Sequence, residues 1–241
     1  MTKETFVSIS RATPTNFQFS VKVPETITHD KGLDVNKGAI NNLEEFLEKI
    51  SPLKISNKLG AVIIQLPPSF TVKEFRNIEE FLDRLPNGYD FAVEFRHPSW
   101  DTEGPWELLN HYNIAAIMTD SPAQDKLQFL SGVIVTANHS FIRWHGRNAK
   151  FRYNYLYSNE ELNPWVSKVK KISTETTVVR GYFNNHYGAK AVANGLEFKE
   201  MVGESLSNRE REMKEKINDF YRSKQLVFDN GYVKNNKLDI L

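Results

Sequence analysis

Short apolar runs alternate with longer amphipathic ones along most of the 241-residue chain. Six runs predict strands, at residues 17–23, 61–66, 91–96, 114–119, 141–145 and 177–184. Other stretches carry apolar residues three or four apart, the spacing that lines up one face of a helix. Residues 36–50 place Ile40, Leu43, Phe46, Leu47 and Ile50 on one stripe, and residues 72–85 do the same with Phe75, Ile78, Phe81, Leu82 and Leu85. Residues 3–11, 162–172 and 189–201 read as helices too. Alternation sustained over this length predicts a parallel sheet with helices outside it.

Parity within the strands narrows the fold. Phe91, Val93 and Phe95 alternate with Ala92, Glu94 and Arg96. Phe17, Phe19, Val21 and Val23 alternate with Gln18, Ser20 and Lys22, and Ile142 and Trp144 with Arg143 and His145. Val179 and Phe183 alternate with Arg180, Tyr182 and Asn184. A sheet covered on both faces would be apolar throughout. One greasy face, and one that turns polar towards the C-terminal end, fit a barrel whose polar side chains converge at one mouth. The predicted fold is an α/β TIM barrel, incomplete, with about six of the usual eight strands. Residues 205–224 read as a charged helix with Met213, Ile217 and Phe220 on one stripe. The expected organisation is a barrel domain over residues 1–203 and a C-terminal helical extension over 204–241. That extension would cover the open barrel edge or pair two copies of the chain.

Composition excludes several classes. Lys and Arg total 31 against 30 for Asp and Glu, so no charge excess favours nucleic acid or an anionic membrane. Cysteine is absent, which removes disulfides, thiolate metal sites and cysteine nucleophiles. No apolar run approaches the ~20 residues that span a bilayer, and the N-terminal residues lack the apolar segment of a secretory signal. A cytoplasmic protein with no membrane partner is the expectation.

Candidate chemistry gathers at the strand ends. Lys22 ends the first strand and His29 follows in its loop; the alternatives are a structural ion pair and a capping residue. Gln65 faces the lumen by parity, as a ligand contact or a core amide. Glu94 and Arg96 share a face, either neutralising each other or presenting a base beside an anion-binding guanidinium. Arg143 and His145 share the lumen face, and Arg147 starts the next loop: an anion site, or a set of interstrand ion pairs. Asn184 and Asn185 end the last strand, where this architecture often binds phosphate, though both also suit turns. Asp120 is taken as the second lumen carboxylate. Counting lumen charges gives Lys22, Arg96, Arg143 and Arg180 against Glu94 and Asp120, so the expected ligand is an anionic small molecule. Glu94, Asp120 and His145 are the acid–base candidates. No dinucleotide, P-loop, serine-hydrolase or zinc-helix motif occurs. His29, Glu94, Asp120 and His145 have no metal-ligand spacing, so no metal is assigned, and no cofactor is required.

Six strings occur in order: K-V-P-x-x-I-T-H, Q-L-P-P-S-F, F-A-V-E-F-R-H-P-S-W, R-W-H-G-R-N, Y-N-Y-L-Y-S-x-x-E-L and Y-F-N-N-H. Together they resemble the YecE-like family, also called domain of unknown function 72, over residues 6–199. The resemblance implies a TIM barrel and no particular activity. It also implies two earlier strands with G-T-S-G-W-like and N-S-T-F-Y-like motifs, which this sequence lacks; that accounts for the count of six.

Three readings stay open. The leading one is an enzyme acting by acid–base chemistry on an anionic, phosphorylated or carboxylated, small molecule at the mouth. The second is a metal-dependent phosphodiesterase or nuclease, with nucleic acid the less favoured partner. The third is a non-catalytic binding protein or an inactive, shortened paralogue. A homo-oligomer through the extension or the barrel edge is compatible with each.

Overall fold

The computed structural model describes residues 1–151 and 153–229. Strands β1 (Phe19–Lys22), β2 (Leu59–Gln65), β3 (Asp90–Glu94), β4 (Ala115–Asp120), β5 (His139–Trp144) and β6 (Val178–Phe183) lie side by side in sequence order. Every neighbouring pair is parallel. Parallel neighbours need crossovers, supplied by α2 (Ala39–Ile55), α3 (Phe75–Leu82), α4 (Glu103–His111) and α5 (Asn159–Ile172). The β4–β5 crossover uses only two 3-10 turns, Ala123–Asp125 and Gln128–Ser131. Helix α1 (Lys3–Ala12) packs on α2, and α6 (Lys190–Met201) and α7 (Asn208–Asp229) follow β6.

β1 and β6 share no backbone ladder, so the sheet is a half-barrel, an incomplete TIM-barrel-like fold with a helical C-terminus. Ser20 Oγ and the Tyr182 hydroxyl meet at 2.9 Å across the gap between these edges. The outward apolar faces bury themselves under the helices, as parity predicts. Val62, Ile64, Val93 and Phe95 join Leu43, Phe46, Leu47 and Ile50 of α2 in one core. Met118, Ile142 and Trp144 pack with Leu162 and Trp165 of α5 and Phe198 of α6 in a second. Inside the curve, Ala61, Ala92 and Ala115 leave room for Ile63, Ile117 and Phe141. The small residues matter there, because Phe141 is stacked on Tyr182 at 5.0 Å.

Two helices depart from the sequence pattern. α4 is absent from it because Gly104 and Pro105 look like breakers. Both fall in the helix's first turn, where a missing N–H forfeits no intrahelical bond. α2 continues through Pro52 to Ile55. Helix α7 lies against α6, tied by Lys199 to Glu210 at 2.8 Å and by Lys214 to Glu197 at 2.5 Å. Residues 230–241 of the predicted extension lie outside the described residues. Among those described, no helix is long and apolar enough to cross a membrane.

Gly181 marks the tightest outward contact. A Cβ there would sit 2.8 Å from Trp144 Cζ3, and Trp144 has little freedom to move, being stacked on Phe183 at 4.5 Å. Gly181→Ala is expected to destabilise the fold by about 1–3 kcal/mol through overpacking. An unchanged urea midpoint would contradict this packing.

Candidate anion site at the barrel mouth

The lumen parity of β2, β3 and β5 carries Gln65, Glu94 and Arg143 to the C-terminal ends of their strands. Glu94 has no exposed surface. Its Oε1 accepts hydrogen bonds from Gln65 Nε2 at 3.1 Å and Arg96 Nη1 at 3.1 Å. Its Oε2 accepts from Arg143 Nη1. His145 Nε2 stands 3.3 Å from Oε1, close but not aligned as a hydrogen bond. On the other side of the imidazole, Asn184 Nδ2 meets Nδ1 at 3.2 Å. An amide N–H donating to Nδ1 places the ring proton on Nε2, towards the carboxylate.

Burial alone would push the Glu94 carboxyl up; His145, Arg143 and Arg96 together outweigh it and hold the group well below the usual carboxylate range. Burial pushes the His145 imidazole down, against the pull of Glu94. The carboxylate is therefore ionised and the imidazole neutral near pH 7.

Charge in this cluster does not balance. The Arg96 and Arg143 side chains are 11% and 16% exposed, and among the described residues each is ion-paired with Glu94 alone. Two nearly buried cations thus share one anion. Arg96 Nε is buried with no hydrogen-bond partner, and so is Thr119 Oγ1 on the neighbouring β4. Lys22 stands at the rim, with Nζ 3.4 Å from both Glu25 Oε1 and Gln65 Oε1.

Asp120 is not in the lumen, contrary to the sequence expectation. It shares parity with Met118, on the outward side beneath α5. Arg147 grips it with Nε at 2.9 Å and Nη2 at 2.7 Å, while Nη1 reaches Glu161 at 3.1 Å. The Tyr157 hydroxyl and Trp165 Nε1 also donate to it, at 3.0 and 3.1 Å. Burial would raise the Asp120 carboxyl, but Arg147, Trp165 and Tyr157 hold it below its ordinary range. The Arg147 guanidinium is consequently committed to two acids.

Other predicted residues divide the same way. Arg180 lies low in the barrel, with Nη1 2.9 Å from Asp90 at the start of β3, and adds no charge to the mouth. Asn184 joins the cluster through His145. Asn185 is buried; its Nδ2 donates to the Tyr155 carbonyl and to Asn194 Oδ1 at 2.7 and 2.8 Å, and its Oδ1 has no hydrogen-bond partner. His29 is exposed in a single π-helical turn, bonded to Thr28 Oγ1 at 2.8 Å, apart from the Glu94 cluster. His29, Glu94, Asp120 and His145 do not converge, and among the described residues no three acidic, His or Cys side chains form a metal-holding group. Thr119, a buried polar residue on the lumen face, is not singled out from sequence because β4 is apolar on both faces and offers no alternation to place it.

A family model described as Protein of unknown function DUF72 matches residues 1–217. The UPF0759 protein YunF of Bacillus subtilis is 27% identical over 217 residues, covering 80% of this chain and 75% of that protein. The UPF0759 protein YecE of Escherichia coli is 35% identical over 95 residues, 39% of this chain and 33% of that protein. A crystal structure of a DUF72 family protein from Thermotoga maritima aligns with a TM-score of 0.69 at 33% identity, covering 84% of this chain and 80% of that one. One from Enterococcus faecalis gives 0.70 at 26% identity, covering 85% and 86%.

Glu94→Gln leaves two buried guanidiniums without a counter-charge. It is expected to cost about 3–5 kcal/mol at neutral pH. Because the folded carboxyl is depressed below its ordinary 4.5, its stabilisation is complete above that pH and fades as pH falls through the folded value. Wild type should therefore lose this increment on acidification below about pH 4.5, and the variant should not. Equal stability of the two proteins at pH 7, by urea unfolding, would contradict the assignment.

Proposed function

We propose that this chain, which belongs to the DUF72 family, binds an anionic small molecule at its barrel mouth and moves a proton on it. One observation carries the reading: two guanidiniums, both nearly buried, share a single carboxylate. An uncompensated buried cation is costly, and an anion from solvent removes the imbalance. A phosphate or carboxylate also supplies acceptors for guanidinium N–H groups that Glu94 does not engage, the buried Arg96 Nε among them. Lys22, at the rim and paired with Glu25 and Gln65, supplies a third cation near the mouth.

The acid–base candidates then separate by environment. Glu94 is held too acidic to be an efficient base near neutral pH; its part is to fix both guanidiniums. Asp120 faces the other way. His145 is neutral, sits beside the charge cluster, and has its tautomer set by Asn184. It is the group that would take or give a proton on a ligand held by Arg96 and Arg143.

Titration calorimetry with inorganic phosphate at constant ionic strength tests the binding step. Arg143→Ala is expected to weaken binding by about tenfold or more, as losing a charge-assisted hydrogen bond does, and Lys22→Ala by less. Wild-type affinity in Arg143→Ala would refute the reading.

A further inference from the structure

An aromatic ring lies beside Arg143 on the same face of the sheet. Tyr182 has the lumen parity of β6 and is in register with Arg143 on β5. Adjacent strands lie about 5 Å apart, so the two side chains leave the sheet as close neighbours. The Tyr182 hydroxyl meets Ser20 Oγ of β1 at 2.9 Å, and the ring therefore lies across the open seam between β6 and β1. Ser20 Oγ also accepts from Ala61 N at 3.1 Å, which fixes the far end of this tether.

The two faces of the ring are not equivalent. Phe141 stacks on one, with centroids 5.0 Å apart and planes within 4°. Phe141 precedes Arg143 by two residues on β5, and its register partner is Arg180, two residues before Tyr182. It therefore lies towards the foot of the barrel and covers the footward face. The other face looks towards the mouth. There Arg143 stands on the strand to one side, and Lys22, two residues beyond Ser20 on β1, on the strand to the other. Tyr182 keeps 37% of its surface exposed although it points into the lumen. The Arg143 and Lys22 side chains also reach solvent.

An open aromatic face with a cation at either side suits one kind of body. A flat ring gains offset stacking on Tyr182 and a cation near its own π-face or edge, and an oxyanion on that ring falls within reach of Arg143. An alkyl body of the same size gains burial alone. We infer that Tyr182 is the platform for a flat aromatic ring, so that the ligand is an aryl phosphate or aryl carboxylate whose anionic group lies on Arg143 and Arg96. The inference rests on the anion reading above and names its substrate class. Tyr182 is then the residue that selects an aromatic body over an aliphatic one.

The test compares phenyl phosphate with cyclohexyl phosphate, which match in charge and ring size and differ in flatness and π electrons, by titration calorimetry at constant ionic strength. Wild type is expected to bind phenyl phosphate about threefold tighter or more, the range of an aromatic pair. Tyr182→Leu should abolish that preference and leave cyclohexyl phosphate affinity unchanged. Tyr182→Phe, which keeps the ring and loses the Ser20 tether, should retain it. In wild type, the Tyr182 ring protons should shift upfield and saturably with phenyl phosphate only; this arm decides the matter if Tyr182→Leu does not fold. Equal wild-type affinities, or absence of those shifts, would overturn the platform and leave the anion reading intact. So would a preference that survives Tyr182→Leu, or a loss in that variant equal for both ligands, as a purely structural role would give. Failure of both phosphates to bind wild type would overturn the anion reading itself, and this inference with it.

Discussion

A carboxylate without access to water sets the terms for the whole mouth. Glu94 must be satisfied where it is, because an unpaired buried charge would cost more than most single contacts can return. Its partners come from the ends of β2 and β5 and from the residues just after β3 and β5. One side chain therefore fixes the rotamers of Gln65, Arg96 and Arg143 and holds the Nε2 proton of His145 in view. The parallel ladder beneath supplies the register. Gln65 pairs with Glu94 across β2 and β3, and Thr119 with Arg143 across β4 and β5. The alanines lower in the lumen let the sheet curl without a steric penalty from its concave face.

Two acids sit at the ends of adjacent strands, and they are treated in opposite ways. Asp120 meets one guanidinium and two further donors on the outward side. Its pairing ties β4 to α5 and to the loop beyond β5, and the Tyr157 hydroxyl that donates to it also accepts from Gly146 N at 2.8 Å. That network is complete and reads as scaffold. Glu94 meets two guanidiniums, leaving an excess of positive charge and unpartnered polar atoms. Of the two, the Glu94 network is the one in which guanidiniums outnumber the carboxylate they pair with. Closed and open networks therefore stand back to back across the sheet.

Much of this was legible in the sequence because period-two alternation is strong wherever one face is apolar and the other charged. Phe91 to Arg96 and Ile142 to His145 declare their lumen residues without ambiguity, and those residues form the cluster. Parity failed on β4. Ala115, Ala116, Ile117 and Met118 are apolar on both faces, so nothing there signals which way the next residue points. The sequence therefore offers no contrast that would place Asp120 on the outward face. Arg147 and Asn185 carry a different lesson. Their types suit ligand binding, but only the fold shows that the Arg147 guanidinium is committed to Asp120 and Glu161 and the Asn185 amide N–H groups to Tyr155 and Asn194. The first turn of α4 was hidden by Gly104 and Pro105, residues whose usual meaning reverses at a helix start.

The central claim is that Arg96 and Arg143 carry unmatched charge while Arg147 does not. Heteronuclear NMR of the arginine Nε–H groups during titration with inorganic phosphate, at constant ionic strength, addresses it directly. Saturable shifts at Arg96 and Arg143, with Arg147 unmoved, are the predicted result. Shifts confined to Arg147 or to exposed arginines, with Arg96 and Arg143 static, would contradict it.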